Sequence, residues 1–201
     1  MYFRFHKEIS AALIILFLLV IFFYFIYTPL FFILIIFLLF TFYFFRDPER
    51  TVPIGEDIFV SPADGIITNI SEVKEGKKNY TKVSIFLSVF NVHIQRLPLS
   101  GEISKIDYFE GKFINATLDK ASEENERLKL TIKPGNNIIH VTQIAGLIAR
   151  RIICNVKLKD RINQGDRYGI IKFGSRVDIE FPNNFNLLVN VGQQCLSLIH
   201  I

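Results

Sequence analysis

The chain has 201 residues, half of them hydrophobic, and its 23 basic and 19 acidic residues give a net charge of +4. The apolar residues are concentrated at one end: after Glu8 no charged residue occurs until Arg46, and Phe, Ile and Leu dominate the interval. Setting aside Arg4, Lys7 and Glu8 leaves 21 basic against 18 acidic residues beyond that run, a mild excess that suits an anionic membrane face. With no basic stretch interleaved with aromatics, it argues against nucleic-acid binding.

Residues 1–45 read as a membrane anchor. Pro29, in YTPL, removes a helical hydrogen bond and disfavours a helical Thr28, which predicts two transmembrane helices over 10–27 and 30–45. At about 1.5 Å per residue each is slightly short for a hydrocarbon core of about 30 Å, so a single tilted helix and a shallow hairpin stand as alternatives. Arg4 and Lys7 precede the run and Arg46 and Arg50 follow it. By the positive-inside rule this is a two-pass hairpin in the cell membrane with both termini, and hence the rest of the chain, on the cytoplasmic face. The run is too long for a signal peptide and lacks a small-residue cleavage site.

Residues 46–201 are long enough for one domain with its own core. Short stretches of β-branched and aromatic alternation fill it, among them IFVSPADGIITNISEV, KVSIFLSVFNVHIQRLPL, GEISKIDYFEG and RLKLTIKPGNNIIHVTQIAG, separated by turn signals. The predicted class is mainly β. The best helical candidate is NATLDKASEENE, 115–126, too polar for a core element and read as a surface or lid segment. Pro62-Ala-Asp-Gly65 and Pro98-Leu-Ser-Gly101 echo each other ahead of extended runs, either as the quasi-symmetric hairpins of a barrel-sandwich domain or as two unrelated turns. Cys154 and Cys195 stand alone with no CxxC, and His6, His93, His140 and His200 are scattered, so neither a metal site nor a redox motif is indicated and both cysteines are expected to be reduced thiols.

IIKFGSRVDIEFP, 170–182, raises the chemical question. Phe173, Val177, Ile179 and Phe181 fall on one face and Lys172, Arg176, Asp178 and Glu180 on the other, as in a half-buried strand. Gly174 weakens that strand, and Ser175 lies in the register of the apolar face, so its hydroxyl points inward and needs a partner. A β-bulge is one reading. A serine hydrolase is excluded, because the G-x-S-x-G turn into a helix is absent. In a third reading Ser175 attacks the peptide bond before it. An N-to-O acyl shift at a strained Gly-Ser bond, β-elimination and loss of ammonia would leave a pyruvoyl group at residue 175, a ketone cofactor made from the chain itself.

FFRDPER (44–50), SPADG (61–65), NVHIQRLPLSGEI (91–103), LDKASEENER (118–127), QIAGLIARRI (143–152) and FGSRVDIEFP (173–182) together resemble, in sequence and order, the short bacterial and archaeal form of phosphatidylserine decarboxylase, a pyruvoyl-dependent proenzyme. The resemblance implies a barrel-sandwich-like β domain cut between Gly174 and Ser175 into a large chain, 1–174, and a small chain, 175–201. Ser175 would become the pyruvoyl group, Asp64 would serve self-cleavage, and His93 would serve decarboxylation as proton donor or carboxylate-orienting group. The longer branch carries HxxHxP, whereas His93-Ile-Gln-Arg96-Leu-Pro98 has arginine at the second position. Arginine stays protonated and cannot be the same base. That leaves Arg96 to bind a substrate carboxylate or phosphate, or to hold Asp64. The implied reaction converts phosphatidylserine to phosphatidylethanolamine through a Schiff base with the pyruvoyl group, at a bilayer surface. Two rivals are a pyruvoyl decarboxylase of a soluble amino acid and a membrane-anchored, non-enzymatic barrel-sandwich adaptor. The oligomeric state, a homo-oligomer included, is left open.

Overall fold

The computed structural model describes residues 4–53, 58–76, 78–117, 120–135, 137–147, 151–172 and 174–199, and falls into two compact units, Met1–Glu49 and Arg50–Ile201. In the first, α1 (Ser10–Ile26) and α2 (Thr28–Phe44) form a hairpin whose ends are tied by an antiparallel bridge between Phe5 and Arg46 and by Asp47 N–H to the Arg4 carbonyl, 2.8 Å. The break falls at Tyr27, in extended backbone at φ −153°, and not at Pro29. Thr28 is helical after all, because Pro29 sits in the first turn of α2, where its missing N–H has no intrahelical carbonyl to serve. Apolar side chains such as Phe25, Ile36 and Leu39 remain mostly exposed, as suits helices solvated by lipid. The stretch Lys7–Ile26 is long and apolar enough to cross a membrane, and α2 is shorter.

The second unit is built from β1 (Gly65–Glu75), β2 (Lys78–Leu87), β3 (Ile94–Arg96), β4 (Gly101–Phe109), a helical turn α3 (Ala121–Glu124), β5 (Arg127–Lys133), β6 (Ile139–Ala145), β7 (Ile152–Cys154), β8 (Arg161–Ile162), β9 (Arg167–Ile171), β10 (Ser175–Pro182) and β11 (Gln194–Cys195). Among the described residues the ladders between these strands are all antiparallel. A curled eight-stranded sheet, β11-β1-β2-β10-β6-β5-β4-β8, faces a three-stranded sheet, β3-β9-β7, across one core. Ile67, Val83, Ile85, Leu130, Val141, Val177 and Ile179 from the large sheet meet Tyr168 and Ile171 from the small one, all fully buried.

The two Pro-x-x-Gly turns are related by a pseudo-two-fold. Gly65 opens β1 and Gly101 opens β4. Each strand shifts register at the same offset, between Ile67 and Asn69 and between Ile103 and Lys105, where Thr68 and Ser104 hydroxyls donate to partner-strand carbonyls. The turns embrace reciprocally: Val60 N–H donates to the Pro98 carbonyl (3.1 Å) and Arg96 N–H to the Pro62 carbonyl (2.9 Å). The large sheet is therefore palindromic, β11-β1-β2-β10 mirroring β8-β4-β5-β6, and β10 and β6 meet at its centre.

Strand β10 departs from the half-buried expectation. Val177, Ile179 and Phe181 face the core as expected, but Arg176 and Asp178 on the opposite face are 1% and 3% exposed. The segment expected to be a helix over 115–126 explains this. Among its described residues only Ala121–Glu124 is helical, and Ser122 Oγ reaches Asp178 Oδ2 at 3.4 Å. Asn125, fully buried, donates from its amide to the carbonyls of Ile114 (2.8 Å) and Ala145 (2.7 Å). The polar segment covers the outer face of β10, and the charges beneath it compensate one another, Arg176 Nε to Asp178 Oδ1 at 2.6 Å and Nη2 to Ser84 Oγ at 2.8 Å.

Candidate active site

Ser175 is the first residue of β10, at the middle of the large sheet, paired with Leu87 of β2 on one side and Ala145 of β6 on the other. Its side chain points inward and is fully buried, yet among the described residues its Oγ has no hydrogen-bond partner. A buried hydroxyl without a partner is costly and calls for a chemical reason. Gly174, immediately before it, adopts φ +65°, a left-handed conformation that residues with a Cβ resist. Gly146, just past the end of β6, lies so close that a Cβ there would overlap the Gly174 carbonyl oxygen. Phe173 lies outside the described residues.

His93 precedes β3 and brings its ring to the same point. Its Nε2 stands 3.3 Å from the Gly174 N–H, and its Nδ1 3.0 Å from the Asn91 carbonyl. Because a carbonyl can only accept, the tautomer compatible with both bonds carries its proton on Nδ1 and offers the Nε2 lone pair to the glycine amide. Asn91 is itself held, its Oδ1 accepting from Ser88 N–H (2.9 Å) and Ser88 Oγ (2.8 Å). On the core side, Gln95 Nε2 donates to the His93 carbonyl (2.7 Å) and Gln143 Nε2 to Gln95 Oε1 (2.9 Å), a buried chain that fixes the histidine backbone.

Asp64 lies in the turn before β1, at the same end of the sheet as Ser175 but separated from it by β2; at about 4.8 Å per strand this is roughly 10 Å across the sheet. Its Oδ2 accepts from Arg50 Nη2 at 2.7 Å and its Oδ1 from Ser197 N–H at 2.9 Å. The cation on Asp64 is thus Arg50. Arg96, 5% exposed, directs Nη1 to the Gly165 carbonyl at 3.3 Å. Burial pushes the nearby Cys195 thiol up, the Ser61 hydroxyl draws it back and the Asp64 charge adds to the rise, which makes Cys195 a poor nucleophile.

The structure therefore brings Gly174, Ser175 and His93 together and sets Asp64 and Arg96 around the neighbouring turns. Four further residues carry no site role in the sequence reading: Gly146, Gln95, Gln143 and Arg50, the last noted there only as a charge flanking the apolar run. Arg50 and Gly146 do sit inside FFRDPER and QIAG, but nothing local in those motifs says which distant group each one meets. Among the described residues no cluster of three or more His, Cys, Asp or Glu is placed to hold a metal ion.

Comparison with known proteins bears on the same region. The family model for phosphatidylserine decarboxylase matches residues 37–197. A phosphatidylserine decarboxylase proenzyme of Ehrlichia chaffeensis is 51% identical over 160 residues, 77% of this chain and 71% of the relative. Proenzymes of the same name from Rickettsia typhi (48% over 163 residues, 77% and 70%) and from the Wolbachia of Brugia malayi (48% over 160 residues, 75% and 69%) are similar too. The matched span takes in every residue of the site just described, from Arg50 to Ser197, and the chain belongs to the phosphatidylserine decarboxylase family.

Proposed function

We propose that this chain is a proenzyme that cuts itself between Gly174 and Ser175, converts Ser175 to a pyruvoyl group, and decarboxylates phosphatidylserine to phosphatidylethanolamine at the cytoplasmic face of the cell membrane. The observation that carries the reading is the buried, unpartnered Ser175 hydroxyl next to a left-handed glycine. Such a hydroxyl is desolvated and has no competing acceptor to turn towards, and a glycine carbonyl has no side chain to shield it.

The bond changes balance as follows. Ser175 Oγ adds to the Gly174 carbonyl carbon, the C–N bond breaks, and an ester replaces the amide while the nitrogen becomes a free amine. Loss of the α-proton of residue 175 expels the Gly174 carboxylate and leaves an enamine. Its tautomer takes up water and releases ammonia, giving the ketone. Gly146 leaves no room for a side chain beside the carbonyl that is attacked, and His93 holds the Gly174 amide, so both restrict the backbone on the acyl side of the scissile bond. Asp64 is assigned to self-cleavage, and Arg96 to the substrate carboxylate or phosphate. Once formed, the ketone supplies an electron sink for the pair left by carbon dioxide. His93 then stands one residue from that group, in reach to orient the carboxylate or return a proton to the substrate carbon. The apolar stretch Lys7–Ile26 supports residues 1–45 as the anchor that keeps the site at the bilayer.

Intact mass and a denaturing gel of the purified full chain test this directly. A small chain starting at residue 175, with a blocked terminus that reacts with hydrazines, is expected, together with turnover of phosphatidylserine in mixed micelles. Ser175→Ala is expected to stay uncut and inactive. An active preparation made only of intact chains would refute it.

A further inference from the structure

Building on that reading, we propose that Arg50 and the C-terminal segment Gly192–Ile199 form a clamp that positions Asp64 for self-cleavage, making Arg50 a positioning residue for maturation. The segment runs alongside the SPADG turn and is bonded to it throughout. Gly192 N–H donates to the Ile67 carbonyl (2.8 Å), Ile67 N–H to the Gln193 carbonyl (3.0 Å), Leu198 N–H to the Ser61 carbonyl (3.0 Å) and Ser61 N–H to the Ile199 carbonyl (2.7 Å), while β11 pairs with Gly65 and Ile66. In the middle of this zipper Ser197 N–H binds one Asp64 oxygen. The Arg50 fork closes the triangle, Nη2 on the other Asp64 oxygen at 2.7 Å and Nη1 on the Ser197 carbonyl at 2.9 Å. Both side chains are largely enclosed, 17% exposed for Arg50 and 4% for Asp64. Burying a carboxylate is costly unless it is paired and hydrogen-bonded, and a planar guanidinium spanning two acceptors fixes orientation as well as charge.

The pseudo-two-fold supplies an internal control. In the other half Gly165 N–H donates to the Leu97 carbonyl (2.9 Å) and Leu97 N–H to the Asp166 carbonyl (2.8 Å), as Leu198 and Ser61 do here. Gln164 N–H there donates to Ser100 Oγ at 2.9 Å, the counterpart of Ser197 N–H on Asp64. The fold thus makes the same turn with a neutral hydroxyl, so the carboxylate and its arginine are not required by the architecture. They occur in the half in which β1 pairs with β2 and β2 in turn with β10, the strand that carries Ser175. The clamp also places, within residues 175–201, both the serine that reacts and the segment that holds the aspartate.

The test follows the rate of cleavage at 174–175 in the full-length chain, by gel and intact mass, after synthesis of the precursor. Arg50→Met is expected to slow cleavage at least tenfold, and Arg50→Lys to recover part of the rate by restoring the charge without the fork. Ser197→Pro, which lacks the N–H, is expected to slow it comparably. Asp64→Ser copies the counterpart turn and is expected to fold and to cut at a small residual rate that remains measurable in a long time course. Adding Arg50→Met to Asp64→Ser is expected to slow it no further, which a merely structural role for the arginine would not give. Should Arg50→Met not fold, Arg50→Lys and Ser197→Pro carry the test. Wild-type cleavage alongside variants that cut as fast, or Arg50→Met and Asp64→Ser effects that multiply, would overturn the clamp alone. A wild-type chain that is never cut would overturn the self-processing reading and the clamp with it.

Discussion

Gly174→Ala isolates what the left-handed backbone at the scissile bond contributes. A residue with a Cβ held at φ +65° costs about 1–2 kcal/mol relative to glycine. No steric term adds to this, because a Cβ built on Gly174 meets nothing within 4 Å. Placed in a Ser175→Ala background, so that both proteins stay uncut, the change is expected to lower stability by about 1–2 kcal/mol, or roughly 2–8 °C in Tm for a domain of this size. In the Ser175 background the backbone can relieve the strain by leaving the left-handed region, which moves the carbonyl away from Oγ. The cleavage rate then falls by no more than the same energy, about 5- to 30-fold. Differential scanning calorimetry of the uncut pair and gel-based kinetics of the reactive pair measure the two numbers independently. An alanine variant with unchanged Tm would refute the left-handed assignment, and a cleavage loss of several hundredfold would refute the claim that backbone conformation is all that changes.

Three further outcomes follow from the same geometry. Gly146→Ala places a Cβ on the Gly174 carbonyl oxygen, so β6 or the scissile bond must shift, and it is expected to be cut far more slowly than Gly174→Ala on the same gel. Asp178→Asn removes the carboxylate from Arg176 beneath the turn that carries Ser122 and is expected to cost about 3–5 kcal/mol in urea unfolding, part of which Arg176→Met in the same chain restores. Burial and then the Lys129 charge hold the His140 pKa below its ordinary 6.5, against the pull of Glu75 and Glu180. The folded protein therefore resists a proton that the unfolded chain accepts. Its stability is full above about pH 6.5 and declines as pH falls from there towards the folded value. His140→Gln is expected to flatten that decline in Tm measured between about pH 7.5 and 5.5.

What could be read from the chain alone was whatever depends on near neighbours. The uncharged, mostly apolar run of residues 9–45 needs only composition to be recognised as helical and lipid-compatible, and the alternation of Val177, Ile179 and Phe181 needs only the two-residue period of a strand. Gly174-Ser175 stood out because a small polar residue in the apolar register has to be explained on the spot. The same local logic failed for Arg176 and Asp178, since the cover over them arrives from the Ala121–Glu124 turn, and no pattern within β10 can register a cover from elsewhere in the chain. The Pro-x-x-Gly echo was ambiguous for a similar reason. Two turns become a pseudo-two-fold only when Val60 and Arg96 reach across to each other's prolines. Arg50 and Ser197 on Asp64, Gly146 against Gly174, and the His93 ring on the Gly174 amide were decided by tertiary structure alone. A hydrogen bond or a close backbone approach depends on positions in space, and residues that lie 14 to 133 positions apart share those only after the two sheets have closed on one core.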